Sequence, residues 1–438
     1  MKRLLSLILL PVFISLACAR SNGSVAGPTY IVVTSIPDSS STQMIPSQDQ
    51  PTTVTNNPPS SATFVAPPAV PAEYQAIYND LSSTLASFNG TVPPSKGEPV
   101  MIAGDLLYAN SNAGEALLRP ETLIAVEQEL DGLHTLGING VVVAIKFPML
   151  EPDFPHSADY LQFYEQVSAE IHKRNMKFLV EAGPAFSGTI FSPVQVDWSK
   201  YPKDTFIADQ QNELVTIANE VQPDYLQIAN EPSTIAMLSG VKFTPSDYAA
   251  CIQSNVQKIG HHIGMKIGAG AGTWDDPAYM DDLMNIQGLD CIDIHVYPLG
   301  QNANLLQRGY TTAMKARARG KCAVISEAWS YKISSSETAA MGSNFQQVIA
   351  RDPFTFWEPV DETFIRAVTK LSQASGIEFV SFFWTRYFFA YLDYDQYHNL
   401  TPGQINQQAT RASIESTQSN TLSSLGIFLR DWIAGGLK

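Results

Sequence analysis

Val141-Val142-Val143-Ala144-Ile145-Lys146-Phe147 decides the fold. The run is apolar up to its last two positions and rich in β-branched residues. It does not alternate polar with apolar, as a strand wetted on one face would, and it is short for a helix. Such a strand is buried on both faces, which is the condition of a parallel sheet covered by helices. Its neighbours agree. Amphipathic helices are predicted over Pro120–Leu136 and Asp159–Asn175, and strands over Val100–Leu107 and Lys177–Ala182. The alternation continues along the chain. Strands are expected at Tyr225–Ala229, Lys266–Ala271, Cys291–Val296, Ala323–Ser326 and Glu378–Trp384. Helices are expected at Thr205–Val221, Pro245–His261, Pro277–Ile286, Leu305–Arg319, Phe364–Ser375 and Leu422–Trp432. Eight strand–helix units predict a (β/α)8 TIM barrel over 73–438. The competing fold is a doubly wound sheet, but no Gly-rich phosphate loop follows the first strand. Gly268-Ala269-Gly270 closes the fifth strand and reads as tight packing inside the barrel.

Composition narrows the function. The 438 residues carry 27 Lys+Arg against 42 Asp+Glu, a net charge of -15. Nucleic-acid binding draws on clustered basic residues, so no nucleic-acid partner is expected. A basic patch for anionic lipid is disfavoured on the same ground.

The start of the chain reads as an address rather than as fold. Lys2 and Arg3 precede the apolar run Leu4–Leu16, and small residues follow at Ala17-Cys18-Ala19. That is the layout of a secretory signal peptide over 1–19. Ser15-Leu16-Ala17-Cys18 resembles a bacterial lipobox, which would make Cys18 the lipidated N-terminus of an envelope lipoprotein; cleavage by ordinary signal peptidase would give a freely secreted protein. Residues 20–72 are rich in Ser, Thr and Pro, with no Lys or Arg between Arg20 and Lys96. This composition cannot bury enough apolar surface to offset chain entropy, and it reads as a low-complexity tether. The membrane is then a partner only through the lipid anchor, and the catalytic unit is expected as a monomer.

In a (β/α)8 barrel the chemistry stands at the C-terminal ends of the strands. Those ends present Asp105, Lys146, Glu181, Asn230-Glu231-Pro232, Trp274, His295-Val296-Tyr297, Ser326-Glu327-Ala328-Trp329 and Trp384-Thr385-Arg386. The carboxylates ending strands four and seven are the informative pair. Glycoside cleavage with retention needs two carboxyls about 5–5.5 Å apart, one protonated and one ionised.

Here the chain resembles a family. Ile228-Ala229-Asn230-Glu231-Pro232 looks like the strand-four motif of the clan A retaining glycoside hydrolases. Ile325-Ser326-Glu327-Ala328-Trp329 looks like that clan's strand-seven motif, and Ile294-His295-Val296-Tyr297 is similar to its strand-six signature. The resemblance implies Glu231 as general acid/base and Glu327 as nucleophile. It further implies Asn230 at the sugar 2-hydroxyl, Tyr297 hydrogen-bonded to the nucleophile, His295 lining the site and Trp384 as an aromatic platform. The chain departs from the pattern at strand two, where Lys146 stands for the frequent Arg, and at strand three, where Glu181 stands for the His of family 5. Families 5, 39 and 53 are all loosely similar. Lys146 and Glu181 either pair with each other or contact sugar hydroxyls.

Aromatic rings suit the C–H faces of sugars. Trp274, Trp329 and Trp384 are therefore candidate sugar contacts, Arg386 is a candidate polar one, and Trp357 lies in a long loop that could wall the cleft. Cys291 and Cys322 open neighbouring strands and either bridge or remain thiols. No metal or cofactor spacing stands out. The expected function is retaining, endo-acting hydrolysis of a β-linked oligo- or polysaccharide. The alternatives are a transglycosylase using the same residues and a non-catalytic surface glycan binder.

Overall fold

A computed structural model describes residues 69–94, 99–189, 192–337 and 341–437. The proposed signal peptide, Cys18 and nearly all of the proposed tether lie outside the described residues. Eight parallel strands close a barrel in sequence order. They are β1 (Met101–Asp105), β2 (Gly140–Phe147), β3 (Lys177–Pro184), β4 (Tyr225–Gln227), β5 (Lys266–Gly272), β6 (Cys291–His295), β7 (Cys322–Ala328) and β8 (Phe379–Phe382). The expected (β/α)8 barrel is the observed fold, and β2 is buried along its whole length.

Side-chain alternation along the strands sorts the barrel interior into levels. Near the N-terminal ends, Ala103, Val142, Leu179, Tyr225, Cys291, Val324 and Phe379 form a dry cluster. Two or four residues further along the same strands stand Asp105, Lys146, Glu181, His295 and Ser326. The interior thus changes from apolar to charged toward the C-terminal mouth. Gly270 on β5 packs closely against β6: a Cβ there would collide with the Asp293 carbonyl oxygen. β7 breaks the alternation through a register shift between Ile325 and Ala328 against β8. A bulge of this kind re-aims a side chain, and Glu327 lies within it.

Cys291 and Cys322 are register partners on β6 and β7 and form a disulfide at the apolar end of the barrel. Two carboxyls on outer helices hold loops of the mouth. Glu129 accepts the backbone N–H groups of Leu107 and Tyr108 at 3.1 and 3.0 Å. Glu213 accepts that of Leu150 at 2.9 Å.

The sequence reading omitted helices at Gln75–Thr91, Pro232–Ser239, Met341–Ile349 and Pro402–Gln418. The last carries a capping box between Thr401 and Gln404 with Pro402 at its first position, a start signal its polar composition obscured. No helix among the described residues is long and apolar enough to cross a membrane.

Candidate active site

Asn230 and Glu231 follow β4 by a short extended segment, and Glu231 caps the helix Pro232–Ser239. Its backbone is left-handed, φ 51° and ψ 67°. A residue before proline disfavours helical conformations, and a left-handed non-glycine residue stores about 1–3 kcal/mol that the surroundings must offset. Two contacts fix the carboxyl that this backbone presents. Its Oε1 lies 2.6 Å from His295 Nδ1, and its Oε2 accepts the Thr234 hydroxyl at 2.6 Å.

His295, the last residue of β6, is the hub. The nitrogen that reaches Glu231 also lies 3.5 Å from Glu327 Oε2. The other ring nitrogen lies 3.0 Å from the Asn230 amide and 3.0 Å from Ser326 Oγ, with Glu181 at 3.4 Å. Burial alone would lower the basicity of the ring, but Glu327, Glu181 and Glu231 outweigh it and hold the imidazolium well above the usual histidine range. Glu181 gains from the same contact. Burial would raise its carboxyl, and His295 and Lys146 bring it down to about 2.

Glu327 accepts the Tyr297 hydroxyl on Oε2 at 2.7 Å. Burial, Glu181 and Glu231 push its carboxyl up, against His295 and Lys146, which pull it down. Tyr297 is itself held between rings, 5.4 Å and nearly parallel to Tyr331, and 5.7 Å from Trp274.

Asp105, Lys146, Glu231, Glu327, Tyr297 and Trp384 line one cavity of about 1590 Å³ across the barrel mouth. Asn230, His295, Trp274 and Arg386 also reach it. Arg386 is placed behind a ring rather than in the open: its guanidinium lies 4.4 Å from the Trp384 ring centre and donates to the Tyr387 hydroxyl at 2.9 Å. It backs the face of Trp384. Glu181 sits below the cavity floor, 3.9 Å from Lys146.

Trp329 is a correction. It is fully buried, donates Nε1–H to Asp352 at 2.9 Å and stacks on Tyr387 at 5.4 Å, so it is core and not a sugar contact. The residue after a strand-end bulge points away from the mouth, and the motif alone did not reveal this. Trp357 is likewise buried, stacked on Tyr78, and does not wall the cleft. Conversely, Thr234, Tyr331 and the site role of Asp105 were missed. Thr234 stands three residues past the helix cap, a spacing that signals capping contact. Tyr331 carried no signal in the sequence.

Among the described residues, Glu181, His295 and Glu327 could together offer three atoms to a metal ion. The short contacts of His295 to carboxylates on both nitrogens account for them as a charged hydrogen-bond cluster.

No family profile matches the sequence, and no curated protein matches it either. Solved structures share its fold. GH5_18 from Bifidobacterium longum subsp. longum superposes with a TM-score of 0.50 at 12% identity, over 77% of this chain and 79% of that one. GH5_18 from Streptomyces cattleya gives 0.48 at 12%, over 77% and 92%. The endo-1,4-beta-mannanase of Rhizomucor miehei gives 0.42 at 11%, over 67% and 88%. The likeness is to the closed barrel of eight parallel strands. At such identity the likeness is one of fold, and the chemistry is argued from the site.

Proposed function

We propose that the chain is a retaining glycosidase that cleaves β-glycosidic bonds of an oligo- or polysaccharide. One observation carries this reading: Glu231 Oε1 and Glu327 Oε2 both approach the same nitrogen, His295 Nδ1, at 2.6 and 3.5 Å. The two oxygens are therefore no further apart than those two distances laid end to end. A separation within that ceiling accommodates the roughly 5–5.5 Å of retaining pairs, which favours Glu327 as a nucleophile. In the first step Glu327 attacks the anomeric carbon and Glu231 gives its proton to the leaving oxygen. In the second, Glu231 takes a proton from water, and the water releases the sugar from Glu327. Tyr297 donates to the nucleophile before attack and steadies its ionised form. Trp384 and Trp274 offer faces for the sugar. The N-terminal pattern supports export, with Cys18 as the lipid attachment point.

The full chain is assayed for new reducing ends on β-glucans, mannans, galactans and xylans, beside Glu327→Gln and Glu231→Gln. Each variant is expected to lose at least about a thousandfold in kcat, as removal of a nucleophile or proton donor does. The first product anomer, read by proton NMR, is expected to keep the β configuration. An α anomer as first product, or unchanged turnover in Glu327→Gln, would sink the reading. A folded chain that binds a glycan and never cleaves one would turn it to glycan capture.

A further inference from the structure

Two buried charged side chains in the cavity are not used by the proposed bond cleavage. Asp105 ends β1 with 3% of its surface exposed; the Asn110 side chain reaches its carboxyl, but Oδ2 has no hydrogen-bond partner among the described residues. Lys146, near the end of β2, is 7% exposed. Its ion contact is Glu181 Oε2 at 3.9 Å, beyond hydrogen-bond reach, and among the described residues none is recorded as bonding its ammonium. A buried group without a partner costs free energy, so such groups are kept where a ligand supplies the missing bond. Asp105 offers an acceptor and Lys146 offers donors only, and both face the cavity that Glu231 and Glu327 line.

Charge decides which ligand suits them. Asp105, Glu181, Glu231 and Glu327 outnumber Lys146, His295 and Arg386, the last of which lies behind the Trp384 ring. An added carboxylate would be repelled. An added ammonium would lie beside the Lys146 ammonium, whose charge already pulls down the Asp105, Glu181 and Glu327 carboxyls. A neutral group that both donates and accepts remains, and a pair of adjacent ring hydroxyls is such a group. Burial, Glu181 and Glu129 also hold the Asp105 carboxyl well above its usual range, which suits a hydroxyl partner better than a cation.

We propose that Asp105 and Lys146 form an acceptor–donor pair that grips two adjacent hydroxyls of a neutral sugar unit beside Glu327, so that uronic acid units are refused. This rests on the glycosidase reading and gives it a substrate class.

The test uses the full chain on 4-nitrophenyl β-glucoside, mannoside, galactoside, xyloside and glucuronide. On the neutral glycoside turned over fastest, Asp105→Ala and Lys146→Met should each lose about a hundredfold in kcat/KM, with the glucuronide not cleaved. A monodeoxy analogue of that glycoside should lose similarly in the wild type, and should lose little more in the variant that lacks the partner of the missing hydroxyl. Asp105→Asn, which keeps an acceptor oxygen and the volume, should retain more activity than Asp105→Ala. Variants within about threefold of wild type, or a glucuronide cleaved as well as neutral glycosides, would overturn the pair while leaving the glycosidase reading intact. If the wild type cleaves neither these glycosides nor any of the polysaccharides above, that reading fails separately. The pair is then judged by calorimetric titration of cellobiose, mannobiose and glucuronic acid. Disaccharide binding lost in Asp105→Ala supports it; binding unchanged in that variant, or glucuronic acid bound by the wild type, overturns it.

Discussion

Two buried lysines, Lys332 and Lys146, live in opposite conditions. Lys332 follows β7, is fully buried, and is saturated. Its ammonium donates to the Ser330 carbonyl at 2.8 Å and to Asp361, and Asp352 lies 4.0 Å away. The rings of Trp329 and Trp357 flank it at 4.9 and 6.0 Å. Tyr391 closes the cluster by donating to Asp361 at 2.8 Å. Lys146 is nearly as buried and among the described residues has only the distant Glu181 ion contact, with one side open to the cavity. Burial alone does not separate structure from function. What separates them is whether the charge is satisfied within the protein.

The largest expected effect breaks the satisfied member. Lys332→Met should cost about 3–5 kcal/mol, because Asp361 and Asp352 are left buried without their cation. The midpoint of urea unfolding reads this. Adding Asp361→Asn to Lys332→Met should recover part of the loss, since the second change removes an orphaned charge. A double variant no more stable than the single one would mean that packing against Trp329 and Trp357, and not charge, holds the cluster.

Lys146→Met should cost less stability, about 1–2 kcal/mol, since Glu181 keeps His295. Its effect should appear in the pH profile of kcat/KM. Glu327 must be ionised to attack, and Lys146 is one of two cations that pull its carboxyl down, the other being His295. The carboxylates that push it up are Glu181 and Glu231. With Lys146 gone, Glu327 rises further and the acid limb of the profile moves to higher pH. An acid limb that stays in place would show that His295 alone sets the nucleophile.

The contrast also marks what could be read from the sequence. The barrel was legible because buried strands such as 141–147 and amphipathic helices have distinct periods. Glu231, Glu327, His295 and Tyr297 were nameable because strand order fixes which ends face the mouth. Orientation past a strand end was not legible. The bulge at Ile325/Ala328 sends Trp329 into the core, and neither bulge nor rotation has a period. Nor could the sequence tell Lys146 from Lys332, whose difference lies in partners distant in the chain, such as Asp361 29 residues away. The helix at Pro402–Gln418 was missed for a third reason: it buries few residues, Ile405, Ala409 and Ser413, so its apolar stripe is thin.

The smallest effect concerns a carboxyl between the two conditions. Glu213 is buried and accepts the N–H of Leu150, but among the described residues no cation accompanies it, and burial pushes it up to about 8. Its folded value lies above the unfolded 4.5, so the folded chain binds the extra proton. The stability it contributes is fully present below about pH 4.5 and is lost as pH rises toward 8. The slope is at most about 1.4 kcal/mol per pH unit. Glu213→Gln keeps an acceptor for Leu150 and removes the titration. Urea midpoints at pH 5, 6, 7 and 8 should therefore fall less steeply for the variant than for the wild type. Parallel curves would mean that Glu213 is ionised in the fold without a cation, and that hydrogen bonding from the backbone alone satisfies a buried charge here. In that case the rule drawn from the two lysines would not extend to carboxylates.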